Sequence, residues 1–150
     1  MSRRSESPAP ERLFVDSGAW LAFFSARDNR HADADELLRL AFAGKIPLIT
    51  TNLVLAEVHR LLLHRAGIRA AGAALDRIEA SPAVTVAFAD RARHKDARGW
   101  LAKLDDQVIT YTDAVSFSVM KASRCTVALS FDHDFILAGY SLWRVPGARR

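Results

Sequence analysis

The chain has 150 residues, half of them apolar, enough for one domain with a complete hydrophobic core. Its 21 Lys and Arg outnumber 17 Asp and Glu for a net charge of +4, a mild basic excess compatible with a nucleic-acid partner without demanding one. A single cysteine, Cys125, excludes an internal disulfide, and no apolar run approaches the ~20 residues that span a bilayer, so neither a disulfide scaffold nor an integral membrane protein is expected.

Residues 1–11 (MSRRSESPAPE) are polar, and their two arginines are not followed by the apolar stretch of a secretory or twin-arginine signal. They read as a disordered leader, and the protein as cytoplasmic. RLFVD (12–16) is a short apolar run expected as a buried strand, followed by SGAWLAFFSA as a helix with Ser17 as cap. HADADELLRLAFAG places Ala34, Leu37, Leu38 and Ala41 on one helical face and closes at Gly44. IPLIT (46–50) is a second strand. NLVLAEVHRLLLHRAG is a helix capped by Thr51 or Asn52 and stopped by Gly67, and IRAAGAALDRIEAS is another. AVTVAF (83–88) is a third strand, and ADRARHKDARGWLAKL a helix with a basic face. TDAVSFSVMKAS is a helix with Thr112 as cap. TVALS (126–130) and SLW (141–143) are the last strands, and 144–150 form a short tail, which leaves one domain over 12–143.

Strands that alternate with helices and are apolar throughout predict a mostly parallel sheet covered on both faces, a three-layer α/β/α domain. Such sheets bind ligands beyond the carboxyl ends of their strands. Asp16, Glu57, Asp113, Asp132 and Asp134 all fall on that rim. Singly, each has a plain explanation. Asp16 can cap a helix, Asp132 can start a turn, Asp113 at the first helical position suits the macrodipole, and Glu57 can share a polar face with Arg60 and His64. Together those explanations weaken. Glu57 lies inside LVLAEV, Asp113 heads a helix that is apolar or small nearly all round, and no Lys or Arg lies within two residues of Asp16, Glu57, Asp113 or Asp132. Unpaired buried carboxylates are expensive, and a divalent cation removes the expense. Oxygen ligands without cysteine or paired histidines indicate Mg2+ or Mn2+ rather than zinc.

FVDSGAW, TTNLVLAEV, YTDAVSFSVM and ALSFDHDF resemble, in order, the acidic motifs of PIN-domain ribonucleases, and among these the VapC-type toxins of bacterial toxin–antitoxin pairs. The resemblance runs over residues 12–143, and RDNRHADADELL is similar to the family's segment after the first helix. It implies a Mg2+-dependent endoribonuclease with Asp16, Glu57, Asp113 and Asp132 as catalytic carboxylates. Asp16 is then the central metal ligand, with Asp113 and Asp132 beside it. Glu57 orients or deprotonates the attacking water or joins the metal, and Asp134 is on the metal or next to it. Ser17 and Thr112 hydrogen-bond ligands or waters. The resemblance also implies a homodimer and a small antitoxin that inserts a basic side chain into the acidic site.

RNA must be drawn to this negative site. Arg91, Arg93, His94, Lys95 and Arg98 on one helix offer a phosphate track, with a solvated helix face as the plain alternative. Lys121 and Arg124 are comparable candidates, and His31 and His133 read as surface histidines. The alternatives to a toxin are a housekeeping RNA-processing nuclease and a non-catalytic signalling or RNA-binding module with an acidic rim. A phosphoacceptor switch needs an acidic pair after the first strand, where this chain has Asp16 alone, and no phosphate-cradling glycine motif occurs.

Overall fold

The computed structural model describes residues 8–145; most of the expected leader and the end of the expected tail lie outside them. In chain order the elements are β1 (Leu13–Val15), α1 (Ser17–Phe24), α2 (His31–Ala43), β2 (Leu48–Thr51), α3 (Asn52–Ala66), α4 (Ile68–Ala80), β3 (Val84–Ala87), α5 (Arg91–Lys103), α6 (Tyr111–Ala122), β4 (Val127–Leu129), α7 (Asp134–Leu137) and β5 (Ser141–Leu142). The strands form one sheet in the order β3-β2-β1-β4-β5, and every neighbouring pair is parallel.

The topology assigns the layers. The chain steps outward from β1 through β2 to β3, then crosses back to β4 and β5. Right-handed crossovers therefore put α1–α4 on one face and α5–α7 on the other. Packing agrees, since α1 lies against α2 and α3, α3 against α4, and α5 against α6. The expected three-layer α/β/α domain is the observed one. Gly67, at φ 93 and ψ 177, joins α3 to α4 in a conformation open essentially to glycine alone.

The strands are short because only their central residues need cover on both faces. All of β1 is fully buried at the middle of the sheet. β3 is an edge strand with Thr85 exposed, so the expectation of uniformly buried strands fails there. Above β1 and β4, Phe117 of α6 meets Phe135 of α7 edge-on at 5.2 Å and Trp100 of α5 at 5.5 Å. α7 itself has no signal in the sequence beyond two acids flanking a histidine.

The start of α6 departs from expectation. The helix begins at Tyr111, and Thr110 rather than Thr112 caps it. Thr110 Oγ1 accepts from the Asp113 N–H at 3.1 Å, while an Asp113 carboxylate oxygen accepts from the Thr110 N–H at 3.4 Å. Asp113 is thus the third helical residue of a capping box, and its side chain is aimed back at the sheet rim instead of along the helix axis. Phe117→Ala, which removes the ring shared by α5, α6 and α7, should destabilise the fold by about 3–5 kcal/mol in urea unfolding.

Candidate metal centre

The parallel register brings the acids to one edge. Asp16 follows β1 directly and its N–H donates to the Leu129 carbonyl of β4 at 3.1 Å, so the main chains of both strands end side by side. Asp16 occupies the cap position of α1, yet its carboxylate caps nothing, and Ser17 lies inside the helix instead of capping it. The carboxylate turns inward, only 6% exposed, and its Oδ2 accepts from Ser130 Oγ at 3.0 Å. Ser130 is the residue after β4. Its Oγ also accepts from the Asp132 N–H at 3.0 Å, and Asp132 Oδ1 accepts from the Asp134 N–H at 3.0 Å, which turns the chain into α7.

Carboxylate oxygens of Asp113, Asp132 and Asp134 all lie within 4.8 Å of one another. Asp16, expected at the centre, is not one of these three; it is more deeply buried, and its charge and that of Asp113 act on each other. Glu57 stands half-buried on α3. Its Oε1 accepts from Ser17 Oγ at 2.9 Å, so it is held by the first helix and not by Arg60 or His64. Its charge reaches both Asp16 and Asp113.

Burial and mutual repulsion perturb this group. Loss of water raises the Asp16 carboxyl to about 7, and the charges of Asp113 and Glu57 add to the rise. The Ser17 backbone N–H and the Ser130 hydroxyl work against it. Asp113 is raised by burial, with Asp132 and Glu57 adding and the Thr110 hydrogen bonds opposing. Asp134 is raised to about 6 by burial and by the charges of Asp132 and Asp113. Among the described residues, the Arg–Asp ion pairs all lie elsewhere, on Asp28, Asp35 and Asp90. Crowded oxygen donors without a paired Lys or Arg among the described residues, and proton affinities raised by burial and then by repulsion, are what a hard divalent cation relieves, so the donor set fits Mg2+ or Mn2+.

Other expected residues fall into four groups. Ser17 is in the site through Glu57, whereas Thr112 supplies a backbone carbonyl to Ser116 Oγ at 3.0 Å. On α5, Arg91, Lys95 and Arg98 are exposed, but Arg93 turns inward and donates to the Ser118 carbonyl at 3.1 Å. Arg93 therefore ties α5 to α6 and leaves the expected phosphate track. Lys121 lies eight residues beyond Asp113 on α6, roughly 12 Å along the axis, and with Arg124 it stands at the opposite edge of the sheet, where β4 begins. His31 is structural, its Nδ1 on the Ala22 carbonyl at 2.7 Å, and His133 is exposed.

Two participants escaped sequence reasoning. Ser130 has a local signal, a serine two residues before Asp132 whose hydroxyl can take that N–H. Arg144 has none. Its guanidinium donates to the Ser130 carbonyl at 2.7 Å because the β4–β5 register, Ala128 beside Leu142, continues to place 144 against 130. In the sequence it is only the start of the expected tail.

A parallel β3-β2-β1-β4-β5 sheet with acids gathered at its carboxyl edge is the arrangement of a PIN domain, and the PIN-domain family model matches residues 13–139; the chain belongs to this family. It is 38% identical over 129 residues to the 23S rRNA-specific endonuclease VapC20 of Mycobacterium tuberculosis, in both strain CDC 1551 / Oshkosh and strain ATCC 25618 / H37Rv, a match that covers 85% of this chain and 95% of the relative. The crystal structure of Mycobacterium tuberculosis VapC20, described as a Sarcin-Ricin loop cleaving toxin, superposes with a TM-score of 0.79 at 36% identity, over 89% of this chain and 99% of that one. FitAcB from Neisseria gonorrhoeae shares the fold, with a TM-score of 0.63 at 13% identity over 88% of this chain and 96% of that one.

The raised carboxyls set a pH signature. In the folded, metal-free protein Asp16 keeps its proton up to about pH 7, against an ordinary value of 3.8. The fold holds the extra proton across that window, so Asp16 contributes stability below it that is lost as pH rises through 7, up to roughly 4 kcal/mol. The wild type should therefore lose melting temperature relative to Asp16→Asn between pH 5 and about 7.5 in chelator. Asp113→Asn keeps an acceptor for Thr110 and removes a charge. It should melt higher than wild type in chelator at about pH 7.5, while Mn2+ raises its melting temperature less than that of the wild type.

Proposed function

We propose that the protein is a divalent-metal-dependent endoribonuclease, the toxin of a type II toxin–antitoxin pair. The observation that carries the chemistry is the buried Asp16 with Glu57 and Asp113 acting on it and Asp113, Asp132 and Asp134 clustered, with no Lys or Arg paired to any of them among the described residues. Asp16, Asp113 and Asp132 are assigned as ligands of Mg2+ or Mn2+, with Asp134 and Glu57 within reach. A bound ion there polarises the phosphodiester and makes a bound water more acidic.

The remaining work belongs to the chain. Ser130 holds Asp16 and the Asp132 loop in one geometry. Ser17 occupies one oxygen of Glu57 and leaves the other to orient a water and take its proton. In-line attack then forms a new P–O bond as the bond to the leaving oxygen breaks. Arg91, Lys95 and Arg98, exposed on α5, carry the phosphate path.

Similarity to VapC20 along nearly the whole chain makes ribosomal RNA the first substrate to test. A small antitoxin partner and a homodimeric, cytoplasmic toxin complete this reading. Chelator-treated protein repleted with Mg2+ or Mn2+ should cut such RNA. Asp16→Asn should lower the rate by roughly a thousandfold or more, equivalent to several kcal/mol of charge stabilisation. Retained activity in that variant would refute the assignment. Expression in bacteria should arrest growth, and a small antitoxin from the adjacent gene should relieve the arrest. Harmless expression of an active enzyme identifies an RNA-processing nuclease instead.

A further inference from the structure

Five carboxylates repel the backbone they are to cut, so substrate must be held by something other than the acidic centre. The same carboxyl edge carries a second constructed feature where β3 gives way to α5. The Ala89 N–H donates to Asn52 Oδ1 at 2.9 Å, which pins this connection to the first residue of α3. Asp90 Oδ1 accepts from the Arg93 N–H at 2.8 Å and caps α5. One turn on, His94 Nδ1 pairs with the Tyr111 hydroxyl at 2.8 Å, and the two rings lie 5.7 Å apart. Tyr111 opens α6 and precedes Asp113 by two residues, so the capping box that places the acid also places the phenol.

Between these walls is an open cleft of about 530 Å3 lined by Ala89, Asp90, Arg91, His94 and Tyr111. Phe88, next in the chain to Ala89, is 71% exposed, although the residues before it belong to the sheet. The cleft is widely open to solvent, so it suits part of a long ligand that lies across it, not an enclosed small molecule. Its chemistry is mixed in a particular way. The face of Tyr111 suits a base, Arg91 suits a phosphate or a base edge, and the Asp90 carboxylate suits an exocyclic amine or a 2′-hydroxyl, while exposed Phe88 offers a second ring one residue outside the lining.

We propose that this cleft is a nucleotide subsite, taking one unpaired nucleotide of the RNA next to the scissile phosphate, with its base on Tyr111 and Phe88 and its phosphate on Arg91. The subsite deepens the nuclease reading and rests on it for the position of the cut, whereas binding can be tested apart from cleavage. It also gives the enzyme a preference for loops over duplex, since a paired base cannot reach the two rings.

The test uses full-length protein carrying Asp16→Asn, so that RNA is not consumed, and fluorescein-labelled RNAs: a stem-loop with unpaired loop bases and a fully paired duplex. Fluorescence anisotropy should show tighter binding of the stem-loop. Phe88→Ala and Arg91→Gln, both exposed and so harmless to folding, should each weaken stem-loop binding by about 5- to 10-fold, the scale of one base–aromatic stack or one phosphate contact; Phe88→Ala should leave duplex binding unchanged, whereas Arg91→Gln, which removes a phosphate contact open to any RNA, should weaken it as well. With Asp16 restored, the same changes should raise KM and spare kcat. Equal binding of loop and duplex, or stem-loop affinity unmoved by both changes, overturns the subsite. So does conversion of a sedimenting dimer to monomer by Phe88→Ala with RNA affinity per chain unaltered, because the patch is then a contact between two copies of the chain. If the binding changes appear while wild type with Mg2+ or Mn2+ cuts no RNA, the subsite stands and the nuclease reading falls.

Discussion

The structure is organised around a carboxylate that is costly to bury. Asp16 sits at the end of the central strand, 6% exposed, with its charge opposed by its surroundings and by Asp113 and Glu57. One hydroxyl, Ser130 Oγ, both donates to it and fixes the loop that carries Asp132 and Asp134. A parallel sheet makes this feasible, because it delivers the ends of β1 and β4 side by side and starts helices there whose N–H groups tolerate negative charge. That cost is one that a bound cation would relieve.

Stability elsewhere is conventional. Aromatic packing of Phe117, Phe135 and Trp100 seals the α5–α7 face, and Arg93, half-buried, commits its guanidinium to the Ser118 carbonyl. That contact removes it from the surface and shows how a basic residue within a charged run can serve packing. Positive charge is therefore unevenly distributed. Arg91, Lys95 and Arg98 remain outward on the helix that rises from the acidic edge, while Lys121 and Arg124 lie at the far edge. The net charge of +4 thus coexists with a locally negative site.

Membership of the PIN-domain family and the likeness to VapC20 agree with this arrangement without supplying its details. Arg144 is one such detail. Its hydrogen bond to the Ser130 carbonyl closes the β4 exit from the C-terminal side, on the residue that also holds Asp16. Tyr111 is another, joined to His94 of α5 while its own helix presents Asp113. In both cases a residue other than the acids holds part of the carboxyl edge in place.

The alternation of apolar runs and amphipathic segments, and the appearance of an acid after each central strand, were sufficient to read a parallel three-layer fold and the residues of its rim. Both are local properties, set by side-chain period and by the residue types at a strand's carboxyl end. Only the tertiary structure decided how the acids divide: Asp113, Asp132 and Asp134 closing on one another, Asp16 more deeply buried, Glu57 held by a serine 40 residues away. Helix starts also required it, because Thr110 and Thr112 are equally good caps in sequence and the choice falls to the one whose box points Asp113 at the rim. The bond between Ser130 and Asp16 spans 114 residues, and Arg144 reaches Ser130 only through the register of two strands. Such pairings depend on which strands become neighbours, a property of the whole sheet that no window of sequence contains.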